Sequence, residues 1–163
     1  MKKRNLRCSV LFLLMLFIPL KMLFSEGMTV KIDNYEITVP TGWLAQRTDS
    51  GTVFILYSPL EENDDCQENI NLVYEKLPVK YSVKGYMEAS RDMINKIYGD
   101  VELIEEGKNY HIITLNANGS LLKQIQFVDI KGTDVYVITG TSTPASFDRY
   151  FETFKSIYKS FKY

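Results

Sequence analysis

Ser142 and His111 are the residues of this 163-residue chain whose types could form a nucleophile and its general base. Ser142 lies in residues 140–144 (Gly-Thr-Ser-Thr-Pro), between a predicted strand and a predicted helix, where many hydrolases hold a nucleophilic serine. The second glycine of the Gly-x-Ser-x-Gly pattern is missing, and the only histidine, His111, has no catalytic partner near it in sequence. A hydrolase using Ser142 with His111 is therefore an alternative function, and the sequence favours a protein that is not an enzyme.

An acidic stretch at residues 61–68 (EENDDCQE) is the second group of residues that could do chemistry. Its carboxylates suit calcium, but their spacing departs from the alternating ligands and central glycine of an EF-hand loop. The stretch predicts a solvated loop that could meet a basic partner, and a calcium-dependent interaction module is a second alternative. Cys66 lies among negative charges, which disfavour a reactive thiolate. Neither a metal site nor a cofactor is predicted, and the candidate binding residues are Glu61, Glu62, Asp64, Asp65 and Glu68.

The first 27 residues have the layout of a secretory signal peptide. A basic segment (residues 2–7) precedes an apolar run (residues 8–20), and small residues occupy positions 25 and 27. Lys21 ends the apolar run short of the roughly 20 residues that span a bilayer, so cleavage is favoured over a retained anchor. Cys8 lies at the start of the apolar run rather than after its end, which does not fit a lipoprotein. We therefore predict an exported protein, periplasmic or extracellular, that associates with a membrane only if the leader is retained.

The chain after residue 27 is predicted to form one domain, residues 28–163. It carries 14 basic and 19 acidic residues, a net charge of −5, because the leader holds five of the 19 Lys and Arg and one of the 20 Asp and Glu. This charge argues against nucleic acid as a partner. Cys66 is the only cysteine in this part, so the domain has no intramolecular disulfide and must be stabilised by its core.

Two amphipathic helices are predicted. The first covers residues 83–98, with Ser82 as N-cap and Gly99 as a left-handed terminator. The second begins with Thr143 as its cap and Pro144 at its first position. Their predicted core-facing residues are Val83, Tyr86, Met87, Ser90, Ile94, Ile97 and Tyr98 in the first helix, and Phe147, Tyr150, Phe151, Phe154, Ile157, Tyr158 and Phe161 in the second.

Extended segments account for most of the remaining chain. Alternating apolar residues and turn signals predict strands or a hairpin at residues 30–39, 53–57, 69–76, 101–106, 110–117, 120–130 and 134–141. Asn118-Gly119 is a hairpin signal that also begins a glycosylation sequon, and the turn explains both residues. Trp43, after a Pro-x-Gly corner, is predicted to be a structural plug.

Five places in the chain carry a likeness to a known family: residues 39–43 (VPTGW), 55–59 (ILYSP), 69–72 (NINL), 136–141 (YVITGT), and 151–154 with 157–161 (FETF and IYKSF). They resemble the PsbP-like family, whose fold is shared by the photosystem II extrinsic subunit, a nuclear Ran-release factor and many bacterial exported proteins. The resemblance implies an α+β fold in which an antiparallel sheet is flanked by helices, an α/β/α sandwich. It also implies a non-catalytic accessory or binding protein with no active-site motif to carry over. The expected partner is another protein or a small apolar ligand.

Overall fold

The computed structural model describes residues 27–48, 51–61 and 66–163. The predicted leader lies outside the described residues, as do Glu62, Asp64 and Asp65 of the acidic stretch. The described strands and helices, in chain order, are β1 (Met28–Ile32), β2 (Tyr35–Val39), β3 (Leu44–Arg47), β4 (Thr52–Tyr57), β5 (Asn69–Lys76), α1 (Val83–Tyr98), β6 (Glu102–Glu106), β7 (Tyr110–Ala117), β8 (Ser120–Lys131), β9 (Asp134–Ser142) and α2 (Phe147–Ser160).

Seven of these strands form one antiparallel sheet in the order β3-β4-β5-β9-β8-β7-β6. β1 and β2 form a separate hairpin. Strand β9 pairs with β5, although α1 and three strands lie between them in sequence. The centre of the sheet therefore depends on a contact between distant parts of the chain. The predicted strands are confirmed, and β3 is an additional short edge strand that its sequence did not reveal.

The two helices cover opposite faces of the sheet. Phe127 of β8 stacks on Tyr158 of α2, with ring centroids 4.2 Å apart. The preceding residue, Gln126, accepts a hydrogen bond from Ser90 of α1 at 3.5 Å. Successive residues of a strand point to opposite faces, so α1 and α2 lie on either side of the sheet. The α/β/α sandwich is confirmed.

The start of α1 is as predicted, and its end differs in two ways. The Ser82 hydroxyl accepts a hydrogen bond from the Gly85 N–H at 3.0 Å, so Ser82 is the N-cap. Gly99 has φ 66° but ψ 165°, so the prediction that it ends the helix in the left-handed helical conformation was wrong. A positive φ, which favours glycine, is still required there. Ile97 and Tyr98 are 66% and 46% exposed, so the prediction that they face the core was wrong; α1 packs on β7 and β8, and its last turn extends beyond the buried surface.

Helix α2 begins three residues later than predicted. Its N-cap is Ser146, and the assignment of Thr143 as cap and Pro144 as first helical residue was wrong. Residues 144–146 form a separate turn, in which the Thr143 hydroxyl accepts a hydrogen bond from the Ser146 N–H at 3.2 Å. Ser142 therefore ends strand β9 and does not belong to the helix cap.

The largest apolar cluster lies between the sheet and α2, and it confirms the predicted aromatic stripe of that helix. Phe147, Phe154 and Ile157 are fully buried, and Trp43 packs edge-on against Phe154 with ring centroids 6.4 Å apart, as expected for a structural plug. Gly140 of β9 permits this close approach, because a Cβ atom there would lie 2.6 Å from Cγ of Phe154.

We predict that Gly140→Ala lowers the free energy of unfolding by about 1–3 kcal/mol, since the new methyl group would overpack the contact with Phe154. Urea unfolding measures the loss. In a Phe154→Ala background the methyl group would fill part of the vacated space, so the same change should cost less or even stabilise. An equal cost in both backgrounds would show that the aromatic ring is not the reason for glycine at this position.

Candidate functional site

The structure does not bring Ser142 and His111 together. His111 pairs with Gln126 across β7 and β8, and Gln126 pairs with Thr139 of β9. Ser142 follows Thr139 by three residues on the same strand, and an odd separation places it on the opposite face. Its hydroxyl is buried and donates to the carbonyl of Thr143 at 3.1 Å. The nucleophile–base contact that the alternative hydrolase requires is not formed.

His111 belongs instead to a polar network beneath α1. Its Nε2 lies 3.0 Å from Oε1 of Gln126, and its Nδ1 is buried without a hydrogen-bond partner among the described residues. Arg91 of α1 forms an ion pair with Glu106 of β6 at 3.1 Å beside it. Burial lowers the pKa of His111, and the positive charge of Arg91 lowers it further, while the hydrogen bond that Oε1 of Gln126 accepts from the ring and the charge of Glu106 oppose the shift. The imidazole is thus held neutral.

The acidic stretch is not uniformly solvated. Glu61 is exposed and accepts hydrogen bonds from Arg149 at 2.9 Å and from the Tyr150 hydroxyl at 3.1 Å. Glu68 is fully buried and Cys66 nearly so, which makes the prediction of a solvated loop wrong at these two positions. Cys66 packs in an apolar cluster on the α1 side of the sheet. A binding role for the acidic patch therefore stays a prediction.

Glu68 anchors the end of β5 beneath α2. One carboxylate oxygen accepts a hydrogen bond from the Ser58 hydroxyl at 3.0 Å, and the other has no partner within the described chain. Burial, the charge of Glu68 and the hydrogen bond to Glu61 together raise the pKa of Tyr150 to about 12. Glu68 has no exposed surface, so a ligand in solution cannot reach it. These contacts fasten the segment between β4 and β5 to α2.

The feature of the structure most like a binding site is a set of uncharged side chains, all but one of them polar, on the α1 side of the sheet, which we call the polar field. Strand pairing aligns them in two neighbouring rows that cross β4, β5, β9 and β8. The first row is Tyr57, Asn69, Thr141 and Gln124, and the second is Ile55, Asn71, Thr139 and Gln126.

The polar field is open to solvent on β4 and β5. Phe54, Leu56, Ile70 and Leu72 on the α2 face of these strands are fully buried, whereas Ile55, Tyr57, Asn69 and Asn71 on the other face are half-buried. The reason is the position of α1, which packs on β7 and β8. The field therefore begins on an open surface and ends beneath a helix.

Hydrogen-bonding groups of the polar field are available to a ligand. At the covered end, Gln124 donates to the Thr141 hydroxyl at 3.2 Å. Among the described residues, the side chains of Tyr57, Asn69, Asn71 and Thr139 have no hydrogen-bond partner. A side-chain amide offers both donors and an acceptor, and a hydroxyl offers one donor and two acceptor positions. Most of the unused hydrogen-bonding capacity therefore lies at the open end.

The polar field carries no charge. None of its eight residues is charged at neutral pH. Tyr57 is the one residue among them with a titratable side chain, and burial raises the pKa of its phenol, so the phenol stays protonated. Neighbouring strands lie about 4.8 Å apart and alternate residues about 7 Å apart, so the field measures roughly 14 by 7 Å. Such a surface suits a neutral, polar ligand of small to moderate size.

Sequence reasoning missed the polar field although one signal was present. The alternation in residues 69–76 placed Ile70 and Leu72 on one face and thereby Asn69 and Asn71 on the other. What could not be read was that Thr139 and Gln126 continue the row, because the pairing of β5 with β9 joins distant segments.

Within residues 27–48, 51–61 and 66–163, no three His, Cys, Asp or Glu side chains come close enough together to bind a metal ion. No helix in the same part of the chain combines the length and apolar character needed to cross a bilayer.

Comparison with solved structures identifies the fold. The solution structure of the cyanobacterial PsbP protein CyanoP from Synechocystis superposes with a TM-score of 0.53 at 13% identity, covering 90% of this chain and 94% of that one. The protein has the PsbP-like fold. The recognition made from the five sequence segments is thereby confirmed at the level of fold.

Two other structures share this PsbP-like fold. LpqN of Mycobacterium tuberculosis, described as involved in cell envelope biogenesis, gives a TM-score of 0.54 at 13% identity, over 83% of this chain and 88% of that one. PA94 of Pseudomonas aeruginosa, a protein of unknown function described as a putative regulator, gives 0.54 at 14% identity, over 80% and 92%. A scan against family models finds no match, and neither does a comparison with curated protein sequences.

We predict that the stability of the protein falls between pH 7.5 and 5.5 because of His111. The pKa of His111 is lowered in the folded state, so below pH 6.5, the ordinary value, the unfolded chain binds a proton that the folded chain does not. The contribution of the neutral His111 to the free energy of unfolding is complete above pH 6.5, and it is lost as the pH falls toward the folded-state pKa. The slope is at most about 1.4 kcal/mol per pH unit.

Urea unfolding at several pH values measures this slope, and His111→Gln is the control. His111 is the only histidine, so the substitution removes the imidazole titration and leaves the carboxylates in place. The variant should show a flatter dependence over the same range. Equal slopes in the two proteins would contradict the prediction.

Proposed function

We propose that the protein is an exported, non-catalytic accessory protein that binds its partner or ligand on the polar field. The observation that carries this proposal is the pair of uncharged rows crossing four strands, open to solvent on β4 and β5. A sheet face covered by a helix is normally apolar, and a purely solvated face normally carries Lys and Glu. The polar field fits neither pattern.

The arrangement of the reactive side chains supports binding over catalysis. Ser142 and His111 lie on opposite faces, and the polar field contains no carboxylate, amine or imidazole directed toward its open end. A surface of amides and hydroxyls recognises a ligand through hydrogen bonds, but it provides no strong acid or base for proton transfer. Glu61 and Glu68 are engaged with α2 and Ser58, so we locate the binding site on the polar field rather than on the acidic stretch.

The export part of the proposal rests on the leader, with residues 28–163 as one PsbP-like domain that remains after cleavage. LpqN, which shares the fold, is described as involved in cell envelope biogenesis, and PA94 as a putative regulator. By analogy, we propose an accessory role in the cell envelope or outside it. The analogy supplies the setting, and the polar field supplies the binding site.

We predict that the protein isolated from outside the cytoplasm begins at or near Met28. The small residues at positions 25 and 27 suit a signal peptidase, and β1 begins directly afterwards at Met28. N-terminal sequencing or intact mass of the secreted protein measures the start. A full-length protein confined to the cytoplasm would contradict export, and a full-length protein in the membrane fraction would indicate a retained anchor.

We predict that a photoreactive amino acid at Asn71 becomes crosslinked to a bound partner or ligand in cells that produce the protein. Asn71 lies at the open end of the polar field, half-buried and without a hydrogen-bond partner in the described chain. The same amino acid at Asn116, an exposed position near the end of β7, is the matched control. Adducts that form equally at both positions, or at neither, would contradict the proposed location of the site.

A further inference from the structure

We infer that the polar field binds a neutral carbohydrate, an inference that rests on the proposed function and names its ligand class. The argument follows from four properties of this surface: its lack of charge, the pairing of its amides and hydroxyls, the aromatic and aliphatic residues at its open margin, and its position on internal strands.

The absence of charge on the polar field disfavours ionic ligands. An anion or a cation must lose part of its hydration on binding, and it binds well only where an opposite charge compensates for that loss. The eight residues of the polar field offer none. Arg91 and Glu106, which lie near its covered end, neutralise each other at 3.1 Å. A ligand whose polar groups are uncharged avoids this cost.

The amides and hydroxyls match the groups of a sugar. Neighbouring hydroxyls on a sugar ring each donate and accept, so they form paired hydrogen bonds with a side-chain amide, which places a donor beside an acceptor. Asn69 and Asn71 present two such amides on one strand. Both side chains are half-buried and have no hydrogen-bond partner among the described residues, so a ligand would not need to displace one. Thr139, in the same row as Asn71, is only 8% exposed and belongs to the covered end.

Tyr57 and Ile55 form the apolar margin of the polar field. They lie side by side on β4 at the open end of the two rows, and both are half-buried. A sugar ring has an apolar C–H face as well as its hydroxyls, and a tyrosine ring offers a flat apolar surface with a polar tip. The open part of the field, two residues on each of β4 and β5, measures about 5 by 7 Å, which is close to the size of one sugar ring.

The position of the polar field disfavours an extended peptide. Peptides that bind sheets add as a strand to an open edge, where backbone N–H and C=O groups are unpaired. Strands β4, β5, β9 and β8 each have a neighbour on both sides in the sheet, so their backbone groups are already paired. Recognition on this face must use side chains alone.

Titration of the purified protein with cellobiose, chitobiose and maltose, followed by NMR, tests the inference. We expect at least one of these neutral disaccharides to cause saturable shifts of the side-chain amide signals of Asn69, Asn71 and Gln124. Digalacturonate serves as the anionic control and an uncharged hexapeptide as the peptide control, and both should bind more weakly.

Variants localise the binding. Asn71→Ala should weaken the disaccharide affinity about tenfold, as expected for loss of a paired hydrogen bond. Asn116→Ala, which removes an exposed amide outside the polar field, should leave the affinity unchanged. Thermal unfolding of each variant shows that the fold is retained, and Asn69→Ala supplies a second test if Asn71→Ala does not fold.

The outcomes separate this inference from the proposed function. Absence of saturable shifts with all three disaccharides, tighter binding of digalacturonate or the peptide, or equal affinity of the Asn71→Ala variant overturns the carbohydrate inference. If crosslinking at Asn71 still captures a partner in that case, the proposed function stands and only the ligand class is wrong. The carbohydrate inference and the proposed function are both supported if saturable shifts occur and the affinity falls in the Asn71→Ala variant but not in the Asn116→Ala variant.

Discussion

Strands β8 and β9 form the centre of the sheet, and their side chains must satisfy two different surroundings at once. In each strand, alternate residues point toward α2 or toward α1, so that Phe127 and Ile138 enter the aromatic core while Gln126 and Thr139 enter the polar rows. A slip of one residue would exchange the two sets and bury amides beneath α2. The hairpin that joins the two strands, with Gly132 at φ 66°, holds them in register.

The two faces of the sheet differ in what they carry. The α2 side is closely packed: Phe127 stacks on Tyr158 with an interplanar angle of 2°, and Phe154 lies directly against Gly140. On the α1 side, apolar clusters lie where Met87 and Val128 are buried, and the amides of Asn69 and Asn71 lie where the helix does not reach. The proposed binding surface is thus outside the apolar clusters.

Much of the fold could be predicted because its signals are local. Ser82 begins α1 by accepting a hydrogen bond from a residue only three positions further along the chain. Asn118 and Gly119 form their turn with both φ angles positive. The polar field could not be predicted, because it depends on which strands become neighbours, and β5 pairs with β9 across most of the domain. Glu68 shows the same limit, since its full burial accompanies a hydrogen bond with Ser58, ten residues away, which its place in an acidic stretch does not reveal.

The β1–β2 hairpin ties the two ends of the described chain together. Ile37 and Val39 are buried in the cluster that α2 completes, and Glu36 pairs with Lys162 through two backbone hydrogen bonds of 3.0 and 2.9 Å. The hairpin can therefore complete its packing against the rest of the domain only after the last helix has been made. Contacts of such long sequence separation slow folding. Under the export proposed above, the chain would stay incompletely folded until α2 is synthesised, which suits transport in an extended state.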